Sequence, residues 1–297
     1  MLDIKLETLL AVAEVKNFTK AAEMLNLTQP AVSHHINQLE EECQSKLFIR
    51  GKGEVKLTKE GEIAVTYARR LKALYEKMLT KIEQEKLHIS RIKVGITHTS
   101  ENNNITEILA KYVNQFTNLT ITLITDTINN LYDMLENYEI DIAIVEGKRL
   151  SNKLNYFMLD TDYLICAMSF DNPLANKNVI SINELKKENM ILRLPTSDTR
   201  QLFEATLRSI NESIDNFNVS IEVDNVATIK ALVRKNLGVS ILPRSACLKD
   251  IQKGYLKALS IENLSMMREM NIAYNKDFNH LEILDELVNL YQKMIRS

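Results

Sequence analysis

NFTKAAEMLNLTQPAVSHHINQLEEE, residues 17–42, reads as two helices in quick succession. Small and apolar positions place the first over Thr19 to Leu25 and the second over Thr28 to about Glu42, with only Asn26 and Leu27 between them. So tight a turn needs a residue that tolerates left-handed backbone, as Asn26 does, and Ala21 and Ala22 let the helices cross closely. Thr28 is placed to cap the second helix, and Pro30 falls in its first turn, where a missing N–H costs nothing.

The second helix has two unlike faces. Val32, Ile36, Leu39 and Cys43 recur at spacings of four, three and four, an inward stripe expected to pack against Phe18, Leu25 and Leu27. The opposite face carries Pro30, Ser33, His34 and Asn37 and no acid, while Gln29 stands at the end of the helix that would enter a groove. Gln can bond adenine bidentately, so Thr28, Gln29, Pro30, Ser33, His34 and Asn37 are the candidate DNA-contacting residues. His34 and His35 are neighbours about 100° apart on a helix and cannot chelate one metal ion together.

Next comes LFIRGKGEVKL, residues 47–57, alternating residues around two glycines, which predicts a small hairpin. Lys46, Arg50, Lys52, Lys56 and Lys59 meet one acid there, Glu54, so Arg50, Lys52 and Lys56 are candidate phosphate contacts. Two tight helices, an acid-free face and a basic hairpin make a winged helix-turn-helix.

These residues, with LFIRGKGEVKLTKEG (47–61) and ARRL (68–71), resemble the LysR-type transcriptional regulators. The resemblance implies an α+β multidomain chain: an N-terminal winged helix-turn-helix, a long linker helix, and a C-terminal two-lobed α/β effector domain resembling a type 2 periplasmic binding protein. Other members commonly carry Arg where His34 stands.

The rest of the chain is consistent with that plan. Its 297 residues suggest about two domains, 45% hydrophobic residues suffice for packed cores, and 7 Gly with 4 Pro exclude collagenous or low-complexity character. A net charge of -2 excludes indiscriminate coating of nucleic acid, so binding must come from a local patch. No run of 18 apolar residues suggests a membrane span, and the cytoplasm is the expected compartment. Cys43, Cys166 and Cys247 are too far apart for a CxxC motif and are expected to be buried. No catalytic, metal or cofactor motif is expected, since HExxH, GxSxG and phosphate-loop patterns are missing.

From Thr58 to about Leu87 a single glycine, Gly61, and no proline permit a helix of about 45 Å. Ile63, Tyr67, Leu71, Leu74, Met78 and Ile82 form an apolar stripe along it. Either it packs on its own domain or, as the family resemblance implies, it pairs with a second subunit, with tetramers built from such dimers.

Beyond Arg91 short apolar strands alternate with helices: RIKVGI, helix 102–116, LTITLIT, a helix near 129–137 and IDIAIV. Two strands are expected near 154–169, then the pattern returns with MILRLP, helix 199–211, VSIEV, helix 226–236 and VSILP. By resemblance, MNIAYN and the helix near 279–295 complete the first lobe. The expected domains are 1–58, 59–88 and 89–297, the last divided into lobe 1 (about 91–162 and 267–297) and lobe 2 (about 163–266).

In open α/β sheets ligands collect at the carboxyl ends of strands, and two such ends here are polar: Thr97, His98, Thr99 and Ser100 after RIKVGI, and Thr196, Ser197, Asp198, Thr199 and Arg200 after MILRLP. Thr97, Thr99 and Ser100 facing Thr196 to Arg200 are the candidate effector contacts, with Thr125, Asp126, Glu146 and Asn225 at further strand ends. Ordinary helix capping would select the same residue types. In relatives the second segment often resembles SGTR; Asp198 replaces its glycine and would oppose a strongly anionic effector by sitting beside Arg200.

The sequence thus reads as a transcriptional regulator that binds double-stranded DNA at an operator with dyad symmetry and answers to a small polar metabolite. Two alternatives remain beside it: a redox sensor oxidised at Cys166 or Cys247, and an enzyme fused to a DNA-binding segment.

Overall fold

The structure is a computed structural model that describes residues 3–50, 55–87, 90–102, 105–116, 118–278 and 281–296. These form two compact units, the first of residues up to 89 together with Asn137–Glu139 and the second of the remainder from Ser90 on.

In the first unit α1 (Ile4–Val15), α2 (Phe18–Leu25) and α3 (Gln29–Glu42) precede the strands β1 (Phe48–Arg50) and β2 (Val55–Leu57) and the long α4 (Lys59–Leu87). Asn17 opens α2 by accepting the N–H groups of Thr19 and Lys20, and Asn26 closes it at φ 55°, the left-handed turn that its position required. The Thr28 hydroxyl accepts from the N–H of Ala31, with Pro30 in the first turn. Leu9, Val12, Phe18, Ala21, Val32, Ile36, Leu39 and Phe48 form one core. Cys43 departs from expectation: it is exposed, because α3 ends one residue earlier and Gln44, at φ 50°, turns the chain away.

β1 and β2 pair antiparallel from Phe48–Leu57 to Arg50–Val55. Two links that the pattern did not disclose anchor this wing, the first of them buried. Glu40, on the inner side of α3, accepts the N–H groups of Leu47 at 2.9 Å and Phe48 at 3.3 Å and the Lys46 ammonium at 2.6 Å. Thr58 donates its hydroxyl to the Lys46 carbonyl and accepts from the Gly61 N–H, joining wing to α4. A Cβ at Gly61 would lie 2.0 Å from the Leu47 carbonyl oxygen, so only glycine fits this junction.

Along α4, Val65, Ala68 and Ala73 are buried, but the stripe of Ile63, Tyr67, Leu71, Leu74, Met78 and Ile82 is 43–60% exposed. The chain therefore does not fold this face onto itself.

The second unit begins with β3 (Ser90–Thr97), α5 (Ile105–Val113), β4 (Leu119–Asp126), α6 (Ile128–Glu136) and β5 (Ile142–Glu146), whose strands pair in parallel as β4-β3-β5. One 15-residue strand, β6 (Leu154–Met168), follows where two were expected. Its first part pairs with β12 (Met267–Asn275) and its last part with β10 (Ser240–Pro243) and β11 (Lys257–Ile261), so a single strand serves both lobes. The second lobe also holds β7 (Val179–Ile180), α7 (Ile182–Leu185), β8 (Asn189–Arg193), α8 (Asp198–Ser209), β9 (Asn218–Val223), α9 (Val226–Arg234) and α10 (Arg244–Gln252). There β8 and β9 run parallel, and β7 pairs with β11; β7, α7, α10 and β11 were not expected.

The chain returns through β12, which pairs antiparallel with β5, and ends in α11 (Leu281–Arg296), whose Leu284, Leu287, Val288 and Tyr291 pack on Ile108, Leu109 and Tyr112 of α5. This completes the first lobe as anticipated. No helix among the described residues is long and apolar enough to cross a membrane.

Candidate functional site

Two sites arise, one in each unit. On α3 the packing of Val32, Ile36 and Leu39 inward leaves Gln29, Pro30, His34 and Asn37 exposed, with Ser33 half-buried and bonded to Gln29 Nε2 at 2.9 Å. Thr28 is exposed before them, its hydroxyl capping the helix. His35 instead packs inward, its Nδ1 3.0 Å from the Thr8 hydroxyl, so the adjacent histidines diverge. Lys56 is exposed on β2; Lys52 and the side chain of Arg50 lie outside the described residues.

In the second unit the carboxyl ends of β3, β4, β8 and β9 meet in a crevice lined by Thr97, His98, Thr99, Asp126, Thr127, Ile128, Arg193, Thr196, Ser197, Asp198 and Asp224. Six residues anticipated from sequence line it: Thr97, Thr99, Asp126, Thr196, Ser197 and Asp198. The others do not. Ser100 is fully buried, and its hydroxyl and that of Thr97 donate to Glu146 Oε1 at 3.1 and 2.9 Å. Thr125 lies half-buried on β4, opposite Ile96, and Asn225 is exposed and caps α9 through the Thr228 N–H.

Arg200 corrects the expectation most. Its guanidinium lies on Glu204 at 2.5 Å and Glu222 at 3.4 Å, acids of its own lobe, and not in the crevice. Asp198 therefore does not cancel the charge of Arg200. The cations near Asp198 are Arg193, which lines the crevice and donates to Asp224 at 3.2 Å, and Arg268 at the start of β12. Buried Arg268 reaches Thr199 of lobe 2 at 3.4 Å, Asp162 of β6 at 3.5 Å and Glu146 of lobe 1 at 3.7 Å, spanning the two lobes. Neither arginine sits in a polar strand-end cluster, but an arginine closing the apolar run of MILRLP was a usable signal for Arg193.

Burial first, and then the charge of Glu146, push the Asp198 carboxyl up to about 6, against a smaller opposing pull from Arg268 and Arg193. The buried Cys166 and Cys247 thiols are pushed up to about 12 by desolvation, which suppresses the reactive thiolate. No cluster of three metal-ligating side chains occurs among the described residues.

A DNA-entering helix with a basic wing, joined to two lobes around a polar crevice, defines a ligand-responsive DNA-binding regulator. Residues 5–62 match the bacterial regulatory helix-turn-helix protein family of the lysR type, and residues 86–295 match the LysR substrate binding domain. The chain belongs to the LysR family of transcriptional regulators. It is 28% identical over 271 residues to the HTH-type transcriptional regulator CysL of Bacillus subtilis, an alignment covering 91% of this chain and 90% of CysL. Full-length CbnR in complex with its target DNA shares the fold at a TM-score of 0.68 and 17% identity, covering 99% of both chains. The regulatory domain of CcmR from Synechocystis in complex with 2-PG aligns at a TM-score of 0.61 and 21% identity, over 69% of this chain and 99% of that domain.

Proposed function

We propose that this LysR-family regulator reads its operator with Gln29, Ser33 and His34 of α3, holds the backbone through Arg50, Lys52 and Lys56, and is switched by a small polar metabolite taken into the crevice between the lobes. The observation that carries the reading is the crevice itself, where strand ends of both lobes converge on a chain whose other unit presents an acid-free helix face. CbnR with its target DNA and the CcmR domain with 2-PG support the two binding roles by analogy. The exposed stripe of α4 is the surface for a second copy of the chain, and dimers so formed assemble further into tetramers over an operator with dyad symmetry. The division into 1–58, 59–88 and 89–297 assigns DNA reading, pairing and effector binding in turn. The protein works in the cytoplasm and as a regulator without catalysis of its own.

Base-reading and backbone contacts have different signatures. Gln29→Ala weakens operator binding by about 1–3 kcal/mol with little change on unrelated DNA, whereas Lys56→Ala weakens both and makes the salt dependence shallower. Fluorescence anisotropy with the two DNAs across salt concentrations measures this, and equal loss on both DNAs from Gln29→Ala removes that residue from base reading. The suppressed thiolates of Cys166 and Cys247 give no support to redox sensing there, so in a Cys43→Ser chain, which lacks the exposed thiol, peroxide leaves operator binding unchanged.

A further inference from the structure

We propose that the effector is a zwitterion, a small molecule carrying both an ammonium and a carboxylate in the manner of an α-amino acid, with the ammonium on Asp198 and the carboxylate on Arg193. The inference rests on reading the crevice as the effector site. Its basis is which charges there are already satisfied and which are not.

Among the lining acids, Asp126 accepts from the Thr127 N–H at 2.6 Å and Asn130 Nδ2 at 2.8 Å, and Asp224 accepts from Arg193 at 3.2 Å. No side chain among the described residues donates to or pairs with Asp198, while Glu146 adds a second negative charge nearby. Burial and that neighbour hold Asp198 partly protonated, a condition that an incoming ammonium relieves by supplying the missing positive charge.

The opposite charge comes from Arg193. It is 4% exposed, and its Nε has no partner among the described residues although a buried guanidinium N–H is costly to leave unmade. Its one ion pair is to Asp224, a largely exposed acid that water can solvate when a ligand carboxylate competes. The Arg268 Nε likewise has no partner among the described residues, but the Arg268 guanidinium lies on Glu146 and Asp162 and, like Arg200 on Glu204 and Glu222, does not line the crevice, which leaves Arg193 as the cation there. A simple anion placed on Arg193 would meet Asp198, and a simple amine on Asp198 would leave the Arg193 Nε unpaired. Only a ligand with both charges satisfies both groups. The crevice holds about 30 Å³ of free space, so the lobes must part to admit even a short ligand.

Thermal shift and calorimetry on the full chain test this with three matched sets: the L-α-amino acids, their counterparts without the amine, and their decarboxylated amines, for instance serine, 3-hydroxypropanoate and ethanolamine. At least one amino acid binds, and both of its partial analogues bind roughly tenfold or more weakly, the loss of a charge-assisted contact. Asp198→Asn then erases the preference over the acid without the amine, and Arg193→Gln the preference over the amine. This compound comparison uses the unaltered chain and stands even if a variant fails to fold. If no amino acid binds, or if a carboxylate or phosphate ester binds best, gaining from Asp198→Asn and losing from Arg193→Gln, the zwitterion is refuted; in the latter case the crevice stands. A ligand of any class whose affinity both folded variants leave unchanged refutes the crevice itself as the effector site.

Discussion

Half-buried Asp198 and buried Glu40 titrate in opposite directions. The Asp198 carboxyl stands at about 6, above its ordinary 3.8, so the folded chain favours the proton there. Its contribution to stability is complete below 3.8 and is lost as pH rises through about 6. Asp198→Asn, which keeps the shape and cannot ionise, is expected to raise the melting temperature at pH 7.5 and leave it nearly unchanged at pH 4. A melting difference that does not vary with pH would remove Asp198 from this account. For Glu40, burial alone raises the pKa, but the Lys46 ammonium and the N–H groups of Leu47 and Phe48 together outweigh it and hold the carboxyl below its ordinary 4.5. Its contribution is present above 4.5 and is lost as pH falls below. Glu40→Ala leaves two buried N–H groups without an acceptor and is expected to cost about 1–3 kcal/mol in urea unfolding, with Glu40→Gln costing less. Operator affinity falls in the same order as the wing loosens. Neither residue's role was legible from spacing. That Gln29, His34 and Asn37 share one exposed face was legible because a helix face is a local property, but Glu40 serves a strand seven residues on, and Asp198 owes its state first to burial and then to Glu146 of the other lobe.

Elements were legible wherever local chemistry decides them. The turn at Asn26, the Thr28 cap and the length of α4 follow from residues a few positions apart, and each stands where the sequence puts it. β6 was not legible as one strand, since what keeps Leu154–Met168 continuous is a change of partners midway, from β12 to β10 and β11, which no residue within it announces. Arg200 was misassigned for a related reason: Glu204 is one turn away on the same helix, and Glu222 joins it only through the β8–β9 pairing. At α4 the structure leaves Leu71 and Leu74 about half exposed within an apolar stripe. A face of that size on a helix of 29 residues requires a cover. Leu71→Glu with Leu74→Glu would bury unpaired charge in that cover and is expected to shift the protein toward monomer in sedimentation velocity, and to weaken operator binding because two half-sites are no longer held together. An unchanged sedimentation profile would exclude α4 as the pairing surface.

In the whole molecule an effector can act only by changing the balance between arrangements of the two lobes, so the contacts that already join them set what a ligand must overcome or reinforce. Arg268 is the principal such contact at the crevice, with Thr199 in one lobe, Glu146 in the other and Asp162 on the strand they share. Thr199 is buried and the side chains of Arg268, Glu146 and Asp162 are at most 9% exposed, so removing the cation alone leaves two carboxylates without their compensation. Arg268→Met is therefore expected to destabilise the chain by about 3 kcal/mol, at the low end of the range for breaking a buried pair because the ion-pair distances of 3.5 and 3.7 Å are long. Glu146→Gln alone also costs stability, since Thr97 and Ser100 lose a charged acceptor. Combined, the two changes should cost less than their separate losses added, by about 0.5–3 kcal/mol, because the second removes a charge that the first had stranded. Urea unfolding of the four proteins measures that difference. Simple additivity would mean that Arg268 and Glu146 are near one another without coupling, and of the ion pairs joining the lobes among the described residues Lys249–Glu107, at 3.0 Å, would then be the one to resist their parting. With coupling present, a ligand ammonium on Asp198 competes with Arg268, whose charge already acts on that carboxyl and on Glu146, so affinity for the ligand should rise in Arg268→Met while the operator response to it declines.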